Sequence, residues 1–232
     1  MFSNTVSQVA LPRRLVLKIG GTDYFTELFD ATGPNDLGSR TITFTPDGST
    51  SFYSACRVNA VAFPTDPVEG TVLTLSDDTF TQVTLAAGAQ VSIYGVRTNV
   101  IYVGSNGYLT LGQGDSDLGG SLASHFRLPR ISALFTDLNP GAGGTVSWKQ
   151  LIDRVAVTFE HVPRFGMTDL NSFQMELFLD GRLRMTWLRM DAPAGVVGLS
   201  AGLVLFWCGL SLLWTPFLAE ASERLFNIIG LM

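Results

Sequence analysis

Apolar and polar residues alternate with a period of two over most of the chain between residues 22 and 200. The segments IYVGSNGYLTLG at 101–112 and FQMELFLDGRLRMTW at 173–187 show this pattern most clearly. In each segment the alternating positions flank a dipeptide, Asn106-Gly107 or Asp180-Gly181, that readily adopts the positive φ of a tight turn. The two segments therefore predict β-hairpins, each with one face directed toward a core.

Shorter alternating runs fill the rest of this region. A third turn signal, Pro46-Asp47-Gly48, separates predicted strands at 41–45 and 52–55. Residues 118–127 are the least strand-like interior segment and predict a loop or one short helical turn. Further strands are predicted at 72–75, 80–85, 91–94, 132–135, 145–148, 155–159 and 196–199.

More than ten short strands, with no window of helical period before residue 201, predict an all-β fold, an antiparallel β-sandwich over residues 22–200. Residues 1–21 form an N-terminal extension in this interpretation. They lack the continuous apolar run of a secretory signal, because Arg13, Arg14 and Lys18 interrupt it.

Residues 201–232 predict an apolar C-terminal helix or tail, of which 201–219 is long and apolar enough to cross a bilayer. The residues after it include Glu220, Glu223 and a single Arg224, unlike the Lys/Arg-rich cytoplasmic flank of an anchor. Three interpretations stay open: a membrane anchor, a helix that packs on the sandwich, or an unnatural end to a longer gene.

Charge and cysteine content exclude some classes of protein. The net charge is −5, and residues 22–117 contain 11 acidic residues against three arginines, so a nucleic-acid backbone would be repelled. Cys56 and Cys208 are the two cysteines, too few for a disulfide framework, and they leave the redox compartment open.

Five motifs occur in order along residues 22–201: the SNG hairpin at 105–107, LPRISALFTDLNP at 128–140, GTVSW at 144–148, RVAVTF at 154–159 and the DGR hairpin at 180–182. In this order they resemble the nidogen-like β-sandwich module of large secreted bacterial proteins. The resemblance implies an extracellular or cell-surface module with a structural or adhesive role and no catalytic activity. Thr136 stands where such modules usually have a second acid before the DLNP segment.

The resemblance and the composition together lead us to expect a non-enzymatic module whose loops contact a protein or a glycan partner. The loops expected to make this contact are 112–120 and 163–170. Trp148 and Trp187 share the faces of their strands with apolar neighbours, so a core position is favoured over an exposed sugar-stacking one.

The alternative function is a Ca²⁺-dependent carbohydrate-binding module. Asp115 and Asp117 lie two residues apart in a glycine-rich loop, and Asp137 follows a predicted strand. Carboxylate oxygens are ligands that Ca²⁺ prefers, so these three residues are the candidate metal ligands. Simpler roles compete with this one: a solvated turn for Asp115 and Asp117, and a backbone cap for Asp137.

A third hypothesis is a hydrolase in which Ser124 or Ser132 is activated by one of the two histidines. The chain has no Gly-x-Ser-x-Gly elbow, and neither His125 nor His161 lies in a recognisable catalytic string. We therefore expect both histidines at the surface or at strand ends, and we expect no cofactor.

Overall fold

The computed structural model describes residues 25–30, 35–49 and 52–202, together with the backbone of residues 18, 19, 22 and 23. These residues form seventeen β-strands and one short helix. The strands are β1 Lys18–Ile19, β2 Thr22–Asp23, β3 Thr26–Asp30, β4 Arg40–Pro46, β5 Tyr53–Asn59, β6 Thr71–Val72, β7 Phe80–Thr84, β8 Val91–Ile93, β9 Val96–Thr98, β10 Val100–Gly104, β11 Tyr108–Leu111, β12 Pro129–Phe135, β13 Thr145–Gln150, β14 Arg154–Val162, β15 Asn171–Phe178, β16 Leu183–Met190 and β17 Ala194–Ala201. The helix, α1, is Leu122–Phe126.

The strands form two large antiparallel sheets. A six-stranded sheet has the order β3-β17-β12-β11-β10-β7, and a seven-stranded sheet has the order β5-β4-β16-β15-β14-β13-β6. Strands β1 and β2 form a separate pair, as do β8 and β9. The predicted all-β architecture is confirmed at this level, and the β1–β2 pair crosses the predicted boundary between residues 21 and 22.

The hydrophobic core lies between the two sheets, where the inward-facing residues of both are almost completely buried. Phe159 and Phe173 stack in it with ring centroids 4.7 Å apart. The indole Nε1 of Trp187 donates a hydrogen bond to the carbonyl oxygen of Ala133 on the other sheet, at 2.8 Å. Trp187 is therefore a core residue as predicted, and Trp148 packs against the same core while partly exposed.

Residues 60–70 cross the outer face of the seven-stranded sheet, from β5 at one edge to β6 at the other. Thr65 bonds to two buried polar side chains that point away from the core, donating its amide to Gln174 and its hydroxyl to Glu176. The Glu176 carboxylate also pairs with Arg184 and Arg154. This segment therefore provides hydrogen-bond partners for the polar side chains that it buries, because buried polar groups need such partners.

The three predicted turns are confirmed, since Gly48, Gly107 and Gly181 all have positive φ, at 72°, 78° and 89°. Of the loop or short helical turn predicted for residues 118–127, the structure contains the helical turn, α1. Strand limits differ: the strand predicted at 52–55 runs to Asn59, and the one at 72–75 is shortened to β6.

The predicted C-terminal helix, the membrane interpretation of 201–219 and Cys208 fall beyond Gly202, outside the described residues, apart from Ala201 in β17 and Gly202 itself. Within the described part of the chain, no helix has the length and apolar character needed to cross a membrane.

Candidate functional site

Loops from five parts of the chain meet at one end of the sandwich, which we call the loop end. They are residues 76–79, 105–107, 112–121, 136–144 and 163–170. Asn106 is completely buried among them. Its Nδ2 donates to Asp78 Oδ1 at 2.9 Å and to the carbonyl oxygen of Asp117 at 3.3 Å, and its Oδ1 accepts from the amide of Leu138 at 2.8 Å. One carboxamide therefore joins four of the five loops.

Backbone hydrogen bonds attach the fifth loop. The amide of Phe165 donates to the carbonyl oxygen of Asp137, and the amide of Asn139 donates to that of Pro163, both at 2.9 Å. The loops that carry Phe165 and Asp137 are thus held in a fixed relation. The loop end is therefore a preorganised surface, in the sense that its loops bond to one another.

Three carboxylates gather on this surface, from Asp77, Asp78 and Asp137, and we call them the acidic corner. One oxygen from each lies within 4.8 Å of the other two. Asp77 Oδ1 and Asp137 Oδ1 are buried and have no hydrogen-bond partner among the residues that the structure describes. The predicted capping role of Asp137 finds no support among the described contacts: its Oδ1 is buried without a partner there, and Asn139 is the side chain that bonds a nearby amide, that of Ala142.

Burial and mutual repulsion both act on the acidic corner. Burial raises the pKa of the Asp137 carboxyl, and the charges of Asp78 and Asp77 raise it further. The pKa of Asp77 is raised by burial and by the charge of Asp78. Removing carboxylates from water without compensating partners costs free energy, so a bound cation would be stabilised here.

The donor set fits a hard divalent cation. Ca²⁺ binds six to eight oxygens at about 2.3–2.6 Å, so one ion can contact three oxygens that lie within 4.8 Å of each other. Water or backbone oxygens would complete the coordination. Asp78 keeps its bond from Asn106, which orients its carboxylate.

The structure does not group Asp115 and Asp117 with Asp137 in this way. Arg127 Nη2 lies 2.8 Å from Asp115 Oδ1 and 3.4 Å from Asp117 Oδ2, and Arg130 also pairs with Asp115. Two guanidinium groups thus neutralise these carboxylates. The Asp115 side chain is only 10% exposed, so a solvated turn is the wrong description of it.

Arg130 is itself completely buried, and its guanidinium packs against two aromatic rings that contact each other. Its guanidinium carbon lies 4.2 Å from the ring centroid of Tyr108 and 4.6 Å from that of Phe135. The Tyr108 hydroxyl donates to the carbonyl oxygens of Asp115 and Asp117, at 2.9 and 3.1 Å. The loop that contains both acids is therefore fixed to the six-stranded sheet through one arginine and one tyrosine.

His125 contradicts the prediction that both histidines lie at the surface or at strand ends, because it belongs to helix α1 and its ring is completely buried. Its Nδ1 lies 2.9 Å from Ser132 Oγ, and its Nε2 lies 3.3 Å from Thr26 Oγ1. Burial, with a smaller effect from the Arg130 charge, lowers the pKa of His125 to about 3, so the ring is neutral near pH 7. The one-turn helix α1 places this ring against β12, and the alternation of apolar and polar residues along the sequence does not reveal that contact.

The structure thus brings together one predicted histidine–serine pair, His125 with Ser132, but both side chains are 0% exposed. Ser124 bonds instead to Ser121 at the start of α1. His161 is exposed, as predicted, at an irregularity of β14 where its φ is 57°. A substrate carbonyl outside the protein has no access to Ser132 in this arrangement.

Large apolar side chains are also exposed on the loop end. Phe165 and Met167 are 56% and 54% exposed, and Leu118 is 48% exposed. All three belong to the two loops that the sequence predicts as contact loops.

Sequence reasoning missed Asp77, Asp78 and Asn106. The Asp77-Asp78 pair was visible as adjacent acids before a strand, and Asn106 was interpreted only as a turn residue. Comparison of the chain with family models, with curated proteins and with solved structures finds no significant match.

Proposed function

We propose that this chain is a non-enzymatic β-sandwich module of an exported or cell-surface protein, and that its loop end contacts a protein or glycan partner. The observation that carries the proposal is the joining of five loops into one surface, four of them through Asn106 and the fifth through backbone hydrogen bonds. A preorganised surface loses little conformational entropy on binding, which favours affinity.

Two further features support this function. Exposed Phe165 and Met167 offer apolar contact area beside polar and acidic groups, which is the composition of many interaction surfaces. The order of the SNG, LPRISALFTDLNP, GTVSW, RVAVTF and DGR motifs resembles that of nidogen-like modules, which are structural or adhesive. Substrate access to the one histidine–serine pair is blocked by its burial, so this pair gives hydrolysis no support.

The test measures binding of the purified chain to a glycan array and to immobilised extracellular-matrix proteins, in buffer with Ca²⁺. We expect binding to at least one surface, and a loss of tenfold or more in affinity for the Phe165→Ser, Met167→Ser double variant. Ile152→Ser is the control, because Ile152 is 96% exposed in the turn between β13 and β14, at the opposite end.

Two results would contradict the proposal. One is binding that survives the loop-end double variant and disappears in Ile152→Ser. The other is covalent labelling of Ser132 by a serine-directed activity probe, which would show an activated nucleophile instead of a buried hydroxyl.

The second candidate function, Ca²⁺-dependent carbohydrate binding, is favoured by the acidic corner. The buried, unpartnered oxygens of Asp77 and Asp137 lie where a cation would provide the missing partner. The ligand set proposed from the structure is Asp77, Asp78 and Asp137. It retains Asp137 from the sequence-based set, whereas Asp115 and Asp117 are neutralised by arginines.

Thermal unfolding with Ca²⁺, with Mg²⁺ and with a chelator tests the cation, and glycan binding under the same conditions tests the carbohydrate. An ion bound only by the native state stabilises it, by about 2.7 kcal/mol at 100 times its Kd. We expect the Asp77→Asn, Asp137→Asn double variant to lose the Ca²⁺ shift. Asp153→Asn, at the opposite end, should keep it. Equal midpoints with Ca²⁺ and chelator would exclude the site.

A further inference from the structure

Strand β5 forms an open edge of the seven-stranded sheet. In the described part of the chain it pairs with β4 alone. Its residues 54–59 are all exposed, although successive side chains of a strand point to opposite faces. No described segment therefore covers either face of β5, in contrast to the central strands of the same sheet, such as β15, whose residues are all buried.

The hydrogen-bond pattern of the β4–β5 ladder shows which backbone groups of β5 point outward. At one end of the ladder the amide of Ala60 donates to the carbonyl oxygen of Ser39, and at the other end the amide of Asp47 donates to the carbonyl oxygen of Phe52. Bonded and non-bonded pairs alternate in an antiparallel ladder, so even-numbered residues of β5 bond to β4. The N–H and C=O groups of residues 53, 55, 57 and 59 therefore point away from the sheet, toward any added strand.

We propose that β5 is an interface between two copies of this chain, which pair antiparallel along this edge to make one continuous sheet. Two-fold symmetry gives full overlap of all seven residues in one register, in which Cys56, the middle residue, lies opposite Cys56 of the second copy. In that register the outward-pointing residue 55 lies opposite residue 57, and 53 opposite 59. All outward backbone groups of both strands then meet a bonding partner.

Charge favours the same register. Arg57, which pairs with Asp36 at 3.4 Å in its own chain, then lies opposite Ala55 of the second copy. A register centred one residue later would place Arg57 opposite Arg57, and like charges directly opposite one another destabilise a strand pair. It would also leave part of β5 without a partner.

Cys56 lies in the centre of this interface, exposed and unbonded. The two Cys56 residues form a non-hydrogen-bonded pair in this register, with Cα atoms about 4.5 Å apart. This separation lies within the range of about 4.4–6.8 Å that disulfides allow. The contact covers seven residues a side, against roughly 20–30 in a standard interface, so the dimer is weak until the disulfide forms.

The covalent step requires a low-molecular-weight disulfide such as oxidised glutathione. One Cys56 thiolate attacks it and releases a glutathione thiolate, which leaves a mixed disulfide. The Cys56 thiolate of the second copy attacks this mixed disulfide, forms the Cys56–Cys56 bond and releases the second glutathione. Two thiols are thus oxidised while one glutathione disulfide is reduced to two glutathiones.

The test uses the full chain with Cys208→Ser, so that Cys56 is its one thiol. In oxidised glutathione we expect disulfide-linked dimers on non-reducing gels, and in reductant we expect a weak dimer by sedimentation. Ala55→Pro removes an outward N–H and leaves the β4–β5 bonds intact, so it should slow cross-linking at least tenfold. Val72→Pro, on the opposite edge strand β6, is the control. It also removes an outward N–H, because Leu73 bonds to Val146 and Val72 lies between bonded pairs, so this variant should cross-link at the parent rate.

A second pair of variants tests the register, in the Cys56→Ser, Cys208→Ser background. Ser54 and Val58 lie opposite one another between the copies, whereas Val58 is about 13 Å along the strand from Val58 of the second copy. We expect Ser54→Cys and Val58→Cys proteins to cross-link when mixed and neither to do so alone. Equal cross-linking of all three samples, or a parent chain that stays monomeric without cross-linking, would overturn the proposal.

Discussion

The imidazole Nδ1 of His125 lies 2.9 Å from the Ser132 hydroxyl oxygen, and neither side chain is exposed to solvent. The Thr26 hydroxyl oxygen lies 3.3 Å from the other ring nitrogen, Nε2, so both nitrogens have hydrogen-bond partners within the protein. A neutral imidazole satisfies this arrangement, because it has one donor and one acceptor nitrogen. Protonation would place an uncompensated charge in the interior.

We predict that acid destabilises the protein through His125. Its pKa is about 3 in the folded chain and 6.5 in the unfolded chain, so the unfolded chain binds the proton more tightly. The full free energy of unfolding is present above pH 6.5, where His125 is neutral in both states, and it decreases as the pH falls from 6.5 toward 3. The decrease due to His125 is about 2–3 kcal/mol between pH 7 and pH 4.5. Urea unfolding at both pH values should show a smaller loss for His125→Gln than for the parent, and equal losses would contradict the assignment.

The acidic corner has the opposite pH dependence. The raised pKa values of Asp137 and Asp77 mean that their repulsion is present above the unfolded pKa and is relieved on protonation. In chelator at pH 7, Asp137→Asn should therefore raise the free energy of unfolding by roughly 0.5–1 kcal/mol. Denaturant titration measures this change, and a decrease for Asp137→Asn would show that the carboxylate has a stabilising partner.

Asp115 and Arg130 form an ion pair, and removing only one of the two side chains should strongly destabilise the protein. Asp115→Ala leaves the Arg130 guanidinium buried without its counter-ion, and such losses cost about 3–5 kcal/mol. Asp180→Ala is the control, because the Asp180–Arg182 pair is exposed and such pairs contribute about 0–1 kcal/mol. Chemical denaturation of both variants tests the contrast, and similar small losses would mean that Arg130 finds another partner.

Asn106 is expected to be required for the order of the loop end. Asn106→Ala removes three hydrogen bonds in a buried position, and we expect a loss of about 2–4 kcal/mol. Amide exchange should accelerate at Leu138 and at neighbouring loop residues. Asn59→Ala, at an exposed asparagine, should leave exchange in these loops unchanged.

A turn can require glycine because of its positive φ or because a Cβ would collide with a neighbour. Gly48 has the first requirement alone, and Gly107 has both. Both have positive φ, but a Cβ on Gly107 would lie 2.1 Å from the Leu134 carbonyl oxygen, whereas a Cβ on Gly48 would meet open space. Gly48→Ala should cost about 1–2 kcal/mol from backbone conformation alone. Gly107→Ala should cost more than that and lower the thermal midpoint further. Equal midpoints would mean that the Leu134 backbone moves aside.

The strands and turns of the core could be predicted because their signals are local. Alternation at 173–179 and 183–187 specifies which side chains face the interior, and Asp180-Gly181 specifies the turn between them. The limits of β5 were predicted less well, since its exposed residues show no burial pattern. Strand β3 was missed because its sequence, TELFD, does not alternate between apolar and polar residues, and β9 was missed because it has only three residues.

The amino-acid sequence by itself determined an antiparallel β-sandwich, because a strand's alternation and a turn's glycine act over a few residues. Only the tertiary structure decided that Asp78 meets Asn106 from 28 residues away and that Leu138 meets it from 32 residues away. It also decided that His125 is buried and that Asp115 faces two arginines. These relations depend on which loops the two sheets bring to one end, and contacts between distant segments leave no periodic signal along the chain.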